Sequence, residues 1–307
     1  MPDEGRVVVF NPAIGADLSS LTAPHIISPM KQVHAAFAGS NCAVAPEGRY
    51  SAAVVCVPRA KVEARALIAA ACAVTDGAIL IDGQKTDGID SLLKELRKRG
   101  PVSAAISKAH GKCFWIEASD AYADWAVGPA LTPGGFWTAP GVFSADGIDP
   151  ASEMLAAALP EKLGRQVADL GAGWGFLSAH VLTRDTVEAV HLVEAHHMAL
   201  ECAKRNVTDP RAQYHWADAT TWQPPGKMDA VVMNPPFHTA RAADPALGQA
   251  FVAAAARILS PGGTLWMVAN RHLPYEGVLE AHFAKNTDLG GDARFKLTQA
   301  ARPRRVR

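Results

Sequence analysis

At 307 residues the chain is long enough for two domains of ordinary size, each able to bury its own core. With 49% hydrophobic and 20% charged residues it reads as a globular protein, which sets aside disordered and membrane-embedded classes. Thirty acidic against thirty basic side chains give no global field for a polyanion, so a nucleic-acid partner would need a local basic surface.

The N-terminus, "MPDEGRVVVF", lacks a basic stretch followed by a long apolar one, so no secretory leader is expected. Arg65 and Asp76 interrupt the most apolar segment, and no membrane span is expected either. Short β-like runs then alternate with helical ones: "RVVVF", "SAAVVCVP", a helix near Lys61 to Val74, "GAILID", a helix near Ile89 to Arg99 with Asp87 as its cap, and "KCFWIEA". That alternation predicts an α/β unit, and no glycine-rich loop follows any of its strands. Cys42, Cys56, Cys72, Cys113 and Cys202 are odd in number and form no CxxC pair, which argues against a disulfide framework or a zinc site and fits a reducing cytoplasm.

Proline and glycine are dense in "VGPALTPGGFWTAPG", Val127 to Gly141, which is therefore expected to link a first domain, 1–126, to a second, 142–307. In the second, helix "DPASEMLAAALP" precedes strand "RQVADL", helix "FLSAHVLT", strand "AVHLVE", helix "HHMALECAKRNV" and strands "QYHWAD" and "MDAVVMN". Helix "ALGQAFVAAAARIL", strand "GGTLWMVA", a helix near Tyr275 to Ala284 and a strand near Phe295 to Ala300 complete it. Such an order builds a doubly wound, mostly parallel sheet, which holds ligands beyond the carboxyl ends of its strands. The tail, "ARPRRVR", is either a basic patch or a solvated, disordered end.

Four short features fall at strand ends of this second domain. In "DLGAGWGF", Asp169 ends a strand, Gly171 and Gly173 allow a tight turn with close backbone approach, and Gly175 starts a helix. Taken alone this is often only a turn, and the absence of a phosphate-cradling Lys disfavours ATP. Glu194 ends the next strand, where an acid can accept from both hydroxyls of a ribose, and Asp218 ends a third, where it can meet an adenine amino group; each is equally suited to capping. The last is "NPPF". Pro235 and Pro236 have fixed φ and no N–H, so they hold Asn234 and the neighbouring carbonyls in one direction, able to accept both hydrogens of a planar NH₂ while Phe237 lies against its ring.

In this order the four features resemble the class I S-adenosylmethionine-dependent methyltransferases that act on exocyclic or amide nitrogens. With "PGVFSADGIDPASEMLAAAL", "NPPFH", "GGTLWMVANRHLPYEGVLEAHF" and "RFKLTQA", Pro140 to Ala300 is similar to the ribosomal RNA guanine-N2 methyltransferases. That resemblance implies two tandem Rossmann-like methyltransferase domains: a degenerate N-terminal one that places RNA or is structural, and a C-terminal one with a seven-stranded, mostly parallel sheet that binds S-adenosyl-L-methionine. It further implies that Phe143, Ser144, Asp169, Gly171 and Gly173 border the methionine end, Glu194 holds the ribose, Asp218 meets the adenine, and Asn234, Pro235, Pro236 and Phe237 carry the chemistry on the target base, with Asn234 also touching the cofactor. Trp174 departs from the pattern as a bulky residue inside the glycine loop. The expected partner is ribosomal RNA or a ribosomal subunit, with no membrane and no metal; nothing fixes the oligomeric state, and a monomer suffices. Two readings compete with it: a glutamine-N5 or adenine-N6 methyltransferase using the same device, and a non-catalytic binding module that kept the fold.

Overall fold

The computed structural model describes residues 5–236, 238, 239, 242, 243 and 245–304. Contacts divide the chain into two units, Met1–Pro129 and Ala130–Arg307.

The first unit contains β1 (Val7–Phe10), β2 (His25–Ile27), α1 (Lys31–Ala36), β3 (Asn41–Ala43), β4 (Ala52–Cys56), α2 (Lys61–Val74), β5 (Ala78–Gln84), α3 (Ile89–Leu96), β6 (Ile106–Lys108) and β7 (Gly111–Glu117). Its sheet runs β3-β2-β1-β4-β5-β7-β6, with β7 antiparallel to both its neighbours. The apolar run VVVF is buried along its whole length because both faces of β1 are covered. Val8 and Phe10 pack towards α2 and α3, whereas Val7 and Val9 join a smaller cluster with Leu18 and Leu21. In α3 the spacing of Ile89, Leu92, Leu93 and Leu96 puts four buried side chains on one stripe. The helix starts at Gly88, φ +82°, and not on Asp87, which lies in the 3₁₀ turn before it.

The second unit opens with a hairpin, β8 (Ala130–Leu131) and β9 (Trp137–Thr138), set within the stretch expected to be a linker. There follow α4 (Pro150–Ala158), β10 (Gln166–Leu170), α5 (Phe176–Val181), β11 (Ala189–Glu194), α6 (His197–Asn206), β12 (Ala212–Trp216), β13 (Met228–Met233), the short pair β14 (His238–Thr239) and β15 (Ala242–Ala243), α7 (Pro245–Ile258), β16 (Leu259–Asn270), α8 (Glu276–His282), β17 (Phe283–Gly291) and β18 (Phe295–Pro303). The sheet order is β12-β11-β10-β13-β16-β18-β17, five parallel strands with β18 reversed against both neighbours. This is position for position the order of the first sheet, as a tandem duplication requires.

Strand alternation builds three layers in this unit. Val167, Ala230 and Val232 face a core shared with α4, α5 and α6, and Ala168, Leu170, Val231 and Met233 face one shared with α7 and α8. The basic tail is partly strand: Ala301–Pro303 belong to β18, and the Arg304 guanidinium donates to the Phe283 carbonyl at 3.2 Å. Residues 305–307 lie outside the described residues.

Candidate active site

The chain leaves β10 for β11 and β12 on one side, then crosses back to place β13 on the other, so the switch point lies between the carboxyl ends of β10 and β13. Neighbouring loops diverge at such a point and leave a crevice. Here they are the glycine loop after β10 and the Asn-Pro-Pro segment after β13. Phe143, Asp149, Ser152, Gly171, Gly173 and Asn234 are among the residues lining a crevice of about 380 Å³, its open mouth included.

Gly171, Gly173 and Gly175 all have positive φ, at +76°, +56° and +92°. Their surroundings differ. A methyl group on Gly175 would stand 2.9 Å from Val207 and 3.3 Å from Ala203, so this glycine lets α5 start against α6. A methyl on Gly173 would meet nothing within 4 Å, which leaves its backbone bare towards the crevice. Trp174 does not obstruct it: the indole is 4% exposed, packs on Phe136 and Phe176, and donates its N–H to the Phe143 carbonyl at 3.0 Å. The bulky departure thus ties the glycine loop to the Phe143 segment. Asn206, the last residue of α6, adds a second tie by donating to the Trp174 and Trp137 carbonyls at 2.8 and 2.9 Å.

Asp169 is fully buried. Its Oδ2 accepts from the Ser178 hydroxyl at 2.7 Å, and Oδ1 has no partner among the described residues. Burial pushes its carboxyl up to about 7, a shift that the Ser178 hydrogen bond opposes and the nearby Glu194 charge assists. Glu194, at the end of β11, accepts from Gly173 N–H at 2.8 Å through Oε2 and from His196 N–H at 2.7 Å through Oε1. Burial raises this carboxyl as well, against the pull of those backbone donors. Each of its oxygens keeps a second lone pair, so the group braces the glycine loop while able to accept from a diol.

Asn234 follows β13 directly, with Pro235 buried and Pro236 exposed. Its Nδ2 donates to Asp149 Oδ2 at 2.9 Å and to the Ser152 hydroxyl at 3.0 Å. A carboxylate can only accept, so the amide nitrogen must face Asp149 and Oδ1 must face the other way. Phe143 stands at the rim, 57% exposed for an aromatic ring. Ser144, φ +51°, uses its hydroxyl on the Gly147 carbonyl at 2.7 Å and does not line the crevice.

One boundary shifts. β12 ends at Trp216 rather than Asp218, because Asp218 Oδ1 accepts from Thr220 N–H at 2.8 Å and from its hydroxyl at 2.6 Å, an Asx-type turn that takes the chain out of the sheet. Asp218 does not itself line the crevice, and neither do Asp169 and Glu194. Phe237 lies outside the described residues. Asp149 and Ser152 carried no role in the sequence reading; Asp149 ahead of Pro150 is recognisable as a helix cap, but nothing local says that it reaches a residue 85 positions on.

The fit to a cofactor with a diol and a positive charge rests on these features: an orphaned buried carboxylate oxygen on Asp169, a second carboxylate with spare lone pairs on Glu194, and a bare glycine backbone between them and the crevice. Among the described residues no cluster of His, Cys, Asp and Glu could hold a metal ion, and no helix is long and apolar enough to cross a membrane.

Comparison with known proteins agrees. The family model of the methyltransferase small domain matches residues 134–299. The ribosomal RNA small subunit methyltransferase C of Hahella chejuensis is 32% identical over 242 residues, which cover 73% of this chain and 69% of that protein. That of Shewanella oneidensis is 32% identical over 265 residues, 82% of this chain and 77% of the relative. A 16S rRNA N2 methyltransferase from T. thermophilus, solved in complex with AdoMet and guanosine, superimposes with a TM-score of 0.83 at 26% identity, covering 98% of this chain and 89% of that one.

Proposed function

The chain belongs to the methyltransferase small-domain family and, within it, to the ribosomal RNA guanine-N2 methyltransferases, and from that premise we propose how its residues hold and methylate their substrate. It is an S-adenosylmethionine-dependent enzyme that transfers methyl to the exocyclic N2 of a guanine in ribosomal RNA. The names of its relatives point to the small-subunit RNA as the substrate, and a cytoplasmic enzyme fits that substrate.

S-adenosylmethionine, when bound, supplies a methyl group on a positively charged sulfur. Glu194 would accept from its ribose hydroxyls, the Gly171 to Gly173 backbone would lie along it, and the Asp169 carboxylate would favour its cationic end. Phe143 would close the rim with Ser144 beside it at the methionine end, and Asp218 would meet the adenine.

Guanine N2 is a poor nucleophile because its lone pair is delocalised into the ring. Asn234 Oδ1 and the Pro235 carbonyl accept the two N2 hydrogens and fix the amino group in one orientation. As the N–C bond forms and the S–C bond breaks, positive charge develops on N2, and both oxygens stabilise it; the proton then leaves to water, so no side-chain base is needed. Preorganised acceptors of this kind are worth about 10²–10³ in rate. Phe237 would stack on the extruded base and offset part of the few kcal/mol that unstacking costs.

One observation carries this reading: the amide of Asn234 is held with its nitrogen against Asp149 and Ser152, which turns its oxygen into the presented atom. Single-turnover methylation of small-subunit RNA tests it. Asn234→Ala should lower the rate by about 10²-fold. A rate within about threefold of wild type, less than roughly 1 kcal/mol of barrier, would remove Asn234 from the chemistry.

A further inference from the structure

We propose that Asp149 and Ser152 are positioning residues for methyl transfer: they select one of the two orientations of the Asn234 amide and polarise it, so that Oδ1 meets the amino group of the base. The proposal rests on the reading of Asn234 given above.

A primary amide can turn over about its last torsion at little intrinsic cost, and the two outcomes are opposite for a substrate NH₂. With Oδ1 presented, Asn234 accepts a hydrogen. With its own NH₂ presented, two donors face each other and the base is repelled. Asn234 alone cannot decide between them, and prolines on its C-terminal side fix the backbone without fixing this torsion. The decision lies 85 residues earlier in the chain. Asp149 Oδ2 stands 2.9 Å from Asn234 Nδ2, and Ser152 Oγ stands 3.0 Å from the same nitrogen, so both amide hydrogens have acceptors. A flipped amide would set Oδ1 against a carboxylate oxygen with no proton between them.

Asp149 and Ser152 are themselves held. Asp149 caps α4, its Oδ2 accepting from Ser152 N–H at 2.8 Å, and Ser152 is 7% exposed in the first turn of that helix. Both line the crevice beside Gly173 and Phe143. One carboxylate oxygen thus serves the helix end and the amide together. Its negative charge draws the amide's N–H density and leaves Oδ1 the richer acceptor when positive charge grows on the base nitrogen.

The capping and positioning roles separate by substitution. Serine is as good an N-cap as aspartate but too short to reach Asn234, and Ser152→Ala removes an acceptor while leaving the capped N–H in place. In the full-length enzyme at saturating S-adenosylmethionine, Asp149→Ser and Ser152→Ala should each slow single-turnover methylation by about tenfold, roughly one hydrogen bond to a charged or polar partner, with the cofactor dissociation constant within about twofold of wild type. Asp149→Asn keeps both the cap and an acceptor oxygen and should recover most of the rate. In an Asn234→Ala background neither Asp149→Ser nor Ser152→Ala should slow the reaction further, because there is no amide left to orient. Wild-type rates for both single variants, with a slow Asn234→Ala, would overturn the positioning role and leave that of Asn234 standing. An equal tenfold loss persisting in the Asn234→Ala background would also overturn it, as the effect would then travel another way. A wild-type rate for Asn234→Ala itself would overturn both.

Discussion

Gly173 and Gly175 lie two residues apart in one loop, both with positive φ, and the structure gives them different work. At Gly175 a Cβ would press on Val207 and Ala203, so an alanine there suffers overpacking on top of its left-handed backbone. At Gly173 a Cβ would project into open space, and an alanine there meets only the backbone cost of about 1–2 kcal/mol. Gly175→Ala should therefore lower the unfolding temperature by the larger amount. Gly173→Ala should fall by less and instead weaken S-adenosylmethionine binding, because its methyl occupies the face along which cofactor would lie. Thermal unfolding and calorimetric titration of the two proteins check this; equal losses of stability, or an unchanged cofactor affinity in Gly173→Ala, would contradict the division. Trp174, between them, is the bulky departure from the family's glycine-loop pattern. Side-chain volume is visible in a string of letters and side-chain direction is not, and this indole turns away from the bare backbone into Phe136 and Phe176.

Helix α6 begins beside Glu194 and ends on Asn206, so its two ends hold the acid that braces the glycine loop and the amide that ties down the far side of that loop. Its N-cap is His196, whose Nδ1 accepts from Ala199 N–H at 3.3 Å and can do so only while unprotonated. Burial, helped by the neighbouring His197 charge, lowers the His196 imidazole from 6.5 to about 4. A base depressed in the folded state contributes stability that is complete above about pH 6.5 and is lost as pH falls through about 4. Asp169 acts in the opposite sense: its raised carboxyl contributes stability that is complete below about pH 4 and lost as pH rises through about 7. The wild-type pH profile mixes the two, and His196→Ser isolates one of them, since serine caps without titrating. The variant should lose less stability than wild type between pH 6.5 and 4 and match it near pH 8; parallel profiles would show that His196 does not couple the cap to pH. Elements of this kind were legible where pattern is local. Both apolar strands of the switch point, β10 and β13, and the glycine turn follow from runs, periodicity and residue type. The edge strand β17, "FAKNTDLGG", escaped because it is exposed along most of its length and carries no alternation, and its pairing with β18 supplies what its sequence lacks. Asp149 and Ser152 escaped for a different reason, that their meeting with Asn234 is a fact of the tertiary fold.

The two units share one strand order and differ in what their loops carry. After β1 the first unit runs through Asn11 and Pro12 with no helix before β2, β2 is followed by Ser28 rather than an acid, and β4 leads into Val57 and Pro58 where β13 leads into Asn234 and two prolines. Among its described residues a sheet of the same topology thus carries no counterpart of the glycine loop, of Glu194 or of the Asn234 amide. Of the two roles expected for it, RNA placement and structural support, we propose the first. Its charge supports that reading: Lys61, Lys94, Lys98 and Arg99 border a shallow groove beside α2 and α3 in which Glu95 is the only acid among the described residues. Lys61 is engaged with Glu95, and Arg99 with Asp124, which leaves Lys94 in α3 and Lys98 in the turn after it, both exposed and four residues apart, as the cations best placed for phosphate. Lys94→Ala with Lys98→Ala, in the intact chain, should raise the dissociation constant for small-subunit RNA at physiological salt and reduce the slope of log affinity against log salt by about 0.7 for each phosphate that is no longer neutralised. Turnover at saturating RNA should stay within about twofold and S-adenosylmethionine binding should not change, because both belong to the second unit. Filter binding across a salt series, set beside steady-state kinetics, reads the two effects separately. An unchanged salt slope would mean that this groove does not meet RNA, and a fall in saturated turnover with unchanged affinity would mean that the first unit acts on the chemistry and not on the placing of its substrate.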